Sequence, residues 1–112
     1  MAEPKLIEIA RLLLENTATG GVRWEKTATK GEFQTSFADY AIMIRGPSSE
    51  PSLYLSDEDG DIVEELTSYD VYKLEAENLL GPLYEAARRR ALGADEALDQ
   101  ILSILRSGKK KA

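Results

Sequence analysis

The stretch Glu32-Phe33-Gln34-Thr35-Ser36-Phe37-Ala38-Asp39-Tyr40-Ala41-Ile42-Met43-Ile44-Arg45 decides the fold. Phe33, Thr35 and Phe37 recur at every second position, and after the two-residue Ala38-Asp39 break Tyr40, Ile42 and Ile44 do the same, opposite Ala41 and Met43. Period-two alternation on both sides of a two-residue break predicts an antiparallel hairpin. On the N-terminal side, Val22 to Lys26 places Val22 and Trp24 on one face. On the C-terminal side, the loop Gly46-Pro47-Ser48-Ser49-Glu50-Pro51 leads to Ser52–Ser56, with Leu53 and Leu55 in phase. Asp57-Glu58-Asp59-Gly60 predicts a tight turn, glycine accepting the positive φ that such turns demand. Asp61 to Leu66 closes the set, Ile62, Glu64 and Leu66 alternating with Val63 and Glu65. Short strands with short connections predict an antiparallel meander of four or five strands.

Helical periodicity brackets the meander. From Pro4 to Asn16 the residues Leu6, Ile7, Ile9, Ala10, Leu12, Leu13 and Leu14 cover an apolar arc of about 220° at 100° per residue, leaving Glu8, Arg11 and Glu15 on a narrow polar strip. An ordinary surface helix needs about half that width, so this one is expected to be covered on two sides: by its own sheet, and by another helix of the chain or a second subunit. Gly20-Gly21 ends the connection. Asp70 is placed to cap a segment carrying Val71, Leu74, Leu79 and Leu80, which Gly81-Pro82 interrupts. A helix from Pro82 to Leu92 follows, with Leu83, Tyr84, Ala87 and Ala91 on one face and Gly93 as its C-cap. The last helix has Asp95 and Glu96 in its first turn and Arg106 in its last, as the helix dipole favours. Its stripe of Leu98, Ile101, Leu102 and Leu105 is expected to be buried. The fold class is therefore α+β: an N-terminal helix, a four- to five-stranded meander, and two to three C-terminal helices packed on one sheet face. Residues 1–108 are expected to form one domain, with 109–112 a basic flexible tail.

At 112 residues the chain has the size of one domain and can bury a core without metal or disulfide staples. No apolar run approaches the roughly 20 residues that span a bilayer. Met1-Ala2-Glu3-Pro4 followed by an amphipathic stretch lacks the basic start and apolar run of a signal peptide, which predicts a cytoplasmic protein with no membrane association. The net charge of −6 is unevenly placed. Between Glu50 and Glu77 ten acids stand against one base, Lys73, whereas the last seven residues carry Arg106, Lys109, Lys110 and Lys111. The acidic segment suits a partner with a basic surface. A general nucleic-acid binder shows a dominant basic face, which this chain does not, so nucleic acid is not the expected partner.

The chain has no histidine and no cysteine. That removes the commonest general base near neutral pH, the soft metal ligands, the thiol nucleophile and the disulfide. Asp57-Glu58-Asp59-Gly60-Asp61 is dense in carboxylates, but an EF-hand register from Asp57 puts Ile62 where glycine is required and Ser68 where the bidentate acid is required. A plain acidic turn is the expected reading, weak cation binding the alternative. Arg88-Arg89-Arg90, with Lys109 to Lys111, is the candidate anion patch, although consecutive helical residues fan over about 200°; solvated helix faces are the expected reading, binding of phosphate or an acidic partner the alternative. Trp24 is in phase with Val22 and is expected in the core, an interface role being the alternative. Neither a phosphate-binding glycine loop, nor a dinucleotide fingerprint, nor a nucleophile elbow is present. The expectation is a non-enzymatic protein without metal or cofactor.

Trp24-Glu25-Lys26-Thr27, Leu83-Tyr84-Glu85-Ala86-Ala87-Arg88-Arg89 and the run from Ala91 to Leu102 together resemble a group of small, uncharacterised prokaryotic proteins with an N-terminal helix, a strand meander and a helix-Gly-helix ending. The likeness spans most of the chain, with Gly81-Pro82 a departure from it. Its motifs are structural in kind, so the resemblance implies a fold and no activity. With helices on one face only, Ala41, Met43, Tyr54 and Val63 would line a poorly covered second face. That face and the over-wide first helix mark Leu12, Met43, Tyr54 and Val63 as candidate interface residues. The functional expectation is a protein–protein interaction module, homodimeric, of the adaptor, chaperone or immunity/antitoxin-like inhibitor kind. A small-ligand or anion-binding regulator using Arg88, Arg89 or Arg90 is the alternative.

Overall fold

The computed structural model describes residues 5–47, 50–67 and 79–108. The expected Asp70-capped helix and the basic tail lie outside them, as does the Pro4 start of the first helix. The elements run α1 (Lys5–Ala18), β1 (Glu25–Lys26), β2 (Glu32–Phe37), β3 (Tyr40–Arg45), β4 (Ser52–Ser56), β5 (Ile62–Thr67), α2 (Leu80–Leu92) and α3 (Ala94–Ser107). The strands form one open antiparallel sheet in the order β1-β2-β3-β4-β5, the expected meander.

Cross-strand register explains where the core sits. Phe33 pairs with Ile44, Ile44 with Leu53 and Leu53 with Leu66, and all four are buried. Because successive side chains alternate between faces, this row turns one side of the sheet into an apolar floor. Onto it α1 lays Leu6, Ile7, Ala10 and Leu13, and α2 lays Leu80, Leu83, Tyr84 and Ala87. Gly81 and Pro82 fall in the first turn of α2, where a missing N–H breaks no helical bond, so the proline sits at the start of this helix without interrupting it. Tyr84 stacks at a tilt on Phe33, ring centroids 5.7 Å apart, and its ring lies flush against the Gly46 backbone, where a Cβ would stand 2.8 Å from the hydroxyl.

Three details depart from the pattern-based reading. The first strand begins at Glu25, not Val22, because the Trp24 indole is committed to α1: Nε1 donates to Thr17 Oγ1 at 2.8 Å, with both residues buried. Val22 to Trp24 therefore crosses from helix to sheet edge. In β5, Leu55 pairs with Glu64 but Ser56 pairs with Ile62, so Val63 is an extra residue at a bulge, outside the strict alternation. The third departure is the largest. Leu98, Ile101, Leu102 and Leu105, expected as a buried stripe, are all exposed, and α3 buries none of its residues. The helices on the sheet are α1 and α2, while α3 stands off the body. Its effect on shape is visible in a radius of gyration of 16.3 Å and extents of 58 × 32 × 24 Å, where a compact chain of this length would have a radius near 13 Å.

Candidate functional site

Among the described residues, two extended apolar surfaces are left without cover. One is a groove of about 550 Å³ between α1 and the sheet end that carries the β2–β3 turn. Ile9, Leu12 and Leu13 form its helical wall, Phe37 and Tyr40 its lip, Ile42 and Leu55 its floor, and Asn16, Gly21 and Val22 complete its lining. The wall follows from the excess width of the α1 apolar arc. Leu6, Ile7, Ala10, Leu13 and Thr17 already satisfy the body, so Ile9 and Leu12 are surplus to it, Leu12 being 48% exposed. The lip follows from the tight turn. Phe37 and Tyr40 are cross-strand partners, and the chain reverses between them through Ala38 at φ 53°, a left-handed conformation unfavourable for a residue with a Cβ. Strain at the rim of a groove is where binding geometry is commonly stored.

The other surface is the outer side of α3. At 100° per residue Leu98, Ile101, Leu102 and Leu105 fall within about 100° of arc, and Ile104 widens it; Asp95 and Arg106 flank the stripe, and Asp99, Ser103 and Glu96 lie on the opposite side. The elbow between α2 and α3 is built. Gly93, at φ 65° and ψ 41°, donates its N–H to the Arg89 and Arg90 carbonyls, its own carbonyl accepts from Ala97 N at 3.0 Å, and Arg89 pairs with Asp95 across the bend. Glycine takes this conformation at no steric cost.

The candidate interface residues are not brought together. Leu12 lines the groove. Met43 and Tyr54 are cross-strand partners on the opposite sheet face and are half-buried. That face is occupied by an ion pair: the buried Glu32 carboxylate accepts from Arg45 Nε at 2.8 Å and Nη2 at 2.6 Å, and from Thr27 Oγ1 at 2.7 Å, while the guanidinium sits 5.1 Å from the Tyr54 ring centroid. Hydrogen bonding to Glu32 raises the Arg45 pKa above its ordinary value, against an opposing effect of burial. Val63 stands exposed at the β5 bulge.

Arg88, Arg89 and Arg90 go to three different acceptors. Arg88 reaches Glu85, Arg89 reaches Asp95, and Arg90 Nη2 donates to the Ala18 carbonyl at 3.3 Å, at the C-terminal end of α1. They do not converge on one point. The carboxylates of Asp57, Asp59 and Asp61 come within 4.8 Å of one another. Asp57 Oδ1 accepts the backbone N–H groups of Asp59 and Asp61, both at 3.0 Å, so the turn itself accounts for that side chain.

Sequence reasoning found Leu12 but not Ile9, Phe37 and Tyr40 as one lining. The available signal was the apolar residue on each side of the Ala38-Asp39 break, which pairing brings face to face. No described helix is long and apolar enough to cross a membrane. Scans against protein-family models, curated proteins and solved structures return no match.

Proposed function

We propose that this chain is a non-enzymatic protein–protein interaction module that works as a homodimer, in an adaptor, chaperone or inhibitor role. The observation that carries the reading is the exposure of α3. A surface helix in a monomer turns its apolar stripe to the body, whereas here five large aliphatic side chains, Leu98, Ile101, Leu102, Ile104 and Leu105, are between 40% and 64% exposed. Covering them is worth roughly 4–8 kcal/mol per helix at 1.5–3 kcal/mol for each fully buried side chain. The groove adds a second apolar surface on the same chain. The exposed acids at the β4–β5 turn, together with Glu64 and Glu65, favour a partner whose surface is basic.

The test is a tagged pull-down from host extract combined with sedimentation of the purified chain, comparing wild type with Leu12→Asp and Leu105→Asp. Both positions are exposed, so the variants are expected to fold. Loss of partner and of self-association in the variants supports the reading; a wild-type chain that is monomeric and captures nothing defeats it. A second reading, an apolar small molecule in the groove, is favoured by the groove's volume, which lies in the range of small-molecule sites. A thermal-shift screen separates the two, since a ligand at 100 times its dissociation constant adds about 2.7 kcal/mol.

A further inference from the structure

We infer that the α3 arm of one copy seats in the α1–sheet groove of a second copy, and the second copy's arm in the first, giving a reciprocal arm-exchanged dimer. The inference rests on the interaction-module reading and specifies its geometry.

The two surfaces match in spacing. Ile9, Leu12, Leu13 and Asn16 recur along α1 at i, i+3, i+4 and i+7; Leu98, Ile101, Leu102 and Leu105 recur along α3 at the same intervals. Each set spans two turns, about 10.5 Å, so the exposed Ile9 and Leu12 of the wall fall between the knobs of the arm, above the buried Leu13. They match in area. Across the five arm residues and the groove's Ile9, Leu12, Phe37 and Tyr40, each copy leaves uncovered the equivalent of more than four large apolar side chains. At on the order of 150 Å² per side chain, a reciprocal pair would cover roughly 1,300 Å², within the range of stable specific interfaces.

At the C-terminal end of the arm they also match in charge. Leu55 on the groove floor has Glu64 as its cross-strand partner and runs directly into the acidic turn of Asp57, Glu58, Asp59 and Asp61. The arm ends on Arg106, and the sequence continues with Lys109, Lys110 and Lys111. The Gly93 capping bonds and the Arg89–Asp95 pair set the elbow, and no α3 residue lines the groove of its own chain, which favours a second copy as the occupant.

The absence of cysteine from the 112 residues makes the arrangement directly testable in this chain. Leu12→Cys and Leu102→Cys are made separately, mixed at high micromolar concentration and mildly oxidised, with Trp24 fluorescence reporting that each variant is folded. Arm exchange predicts that the mixture forms disulfide-linked dimer on the order of tenfold above either variant alone, because docking raises the effective concentration of the two thiols to the millimolar range. Adding Leu105→Asp to the Leu102→Cys chain is expected to return it to background. Three results overturn the inference: a dimer formed by Leu102→Cys alone, which means that arms pair with arms; an intrachain bridge in the double-cysteine chain at high dilution, which means that the arm folds back; or no bridge in any mixture. In each of those cases, a captured partner that Leu12→Asp or Leu105→Asp abolishes would leave the interaction-module reading standing, and no captured partner would remove both.

Discussion

Trp24 Nε1 donates to Thr17 Oγ1 at 2.8 Å inside the core, joining the last turn of the first helix to the chain that enters the sheet. Both groups are almost fully out of water, with Trp24 4% exposed. A buried donor whose only acceptor is removed loses its full solvation, which costs more than the bond itself contributed. Thr17→Val, close in shape but without the acceptor, is therefore expected to cost about 1–3 kcal/mol. Thr17→Ser keeps the oxygen and gives up one methyl, worth about 0.8 kcal/mol. Trp24→Ala removes packing as well and is expected to cost about 3–5 kcal/mol. Urea unfolding of the three variants, followed by far-UV circular dichroism so that one probe serves all, gives the order. A Thr17→Val midpoint equal to that of wild type would show that the pair does not hold the helix to the sheet.

Gly46 is set by the Tyr84 ring. A Cβ there would meet the hydroxyl at 2.8 Å and Cζ at 3.0 Å, and the ring cannot retreat because it also packs on Phe33. Gly46→Ala is expected to cost about 1–3 kcal/mol by overpacking. The loss should shrink when Tyr84→Phe removes the nearest atom. Equal losses in the two backgrounds, read from a double-mutant cycle of melting curves, would place the cause elsewhere.

The Glu32 carboxylate is buried on the sheet face away from the helices, and Arg45 is its cation. Arg45→Met leaves that carboxylate with Thr27 as its remaining side-chain donor among the described residues, an expected loss of about 1–3 kcal/mol. Adding Glu32→Gln to Arg45→Met should recover part of the loss by removing the uncompensated charge. The raised Arg45 pKa keeps the guanidinium charged throughout the folded range. A folded-state pKa raised above the unfolded value contributes stability below the unfolded value and loses it only as pH rises through the folded one, here in strong alkali. The stability difference between wild type and Arg45→Met is thus expected to stay constant from neutral pH to mildly alkaline pH. A difference that fades over that interval would contradict the assignment.

Ala38 at φ 53° holds Phe37 against Tyr40 at the groove lip. A left-handed conformation costs a residue with a Cβ roughly 1–2 kcal/mol, and part of what glycine regains there is offset by its freer unfolded chain. Ala38→Gly is expected to raise stability by up to about 1 kcal/mol. It is also expected to weaken self-association, since a looser turn presents the two aromatics less rigidly. Thermal melting at low concentration and sedimentation at high concentration test the two halves separately.

The fold was legible in the chain because local signals agreed with one another. Phe33, Ile42, Ile44 and Leu53 announce their faces by period two, and the strand bounds of β2, β3 and β4 coincide with the alternating runs. Two things were not legible. The bulge at Val63 arises from pairing with Ser56 on another strand, and nothing in the local alternation of β5 records it. The exposure of the α3 stripe was invisible for a deeper reason. The spacing of Leu98, Ile101, Leu102 and Leu105 requires an apolar surface to cover them, but is identical whether that surface belongs to the same chain or to another. Of the groove, Leu12 was legible from the arc of α1. Phe37 and Tyr40 were not, because Phe37 shares its phase with the buried Phe33 and becomes exposed only through its place at the sheet end.

The 14 residues of α3 sharpen this into a final expectation. Isolated helices of that length are marginal in water even with good sequences, since nucleation is costly and most helical stability in proteins comes from packing an apolar face. With no buried residue, α3 is held in the undocked chain by its terminal caps at Gly93 and Gly108, the Arg89–Asp95 pair and its own propensity, and by little packing. Its backbone amides should therefore exchange with solvent within moments at low protein concentration, while those of the core row through Phe33, Ile44 and Leu53 stay protected. If arms dock in grooves as proposed, raising the concentration should protect residues 98–107 and the groove wall at Ile9 to Leu13 together, because docking would bury both at once. Hydrogen exchange read by mass spectrometry at two concentrations makes the comparison. Protection of the arm without the wall would mean that arms pair with each other, and protection of both at the lowest concentration would mean that the arm closes on its own chain. Leu105→Asp should abolish the concentration dependence in both segments while leaving the core row unchanged, since that side chain is 64% exposed and contributes nothing to the core.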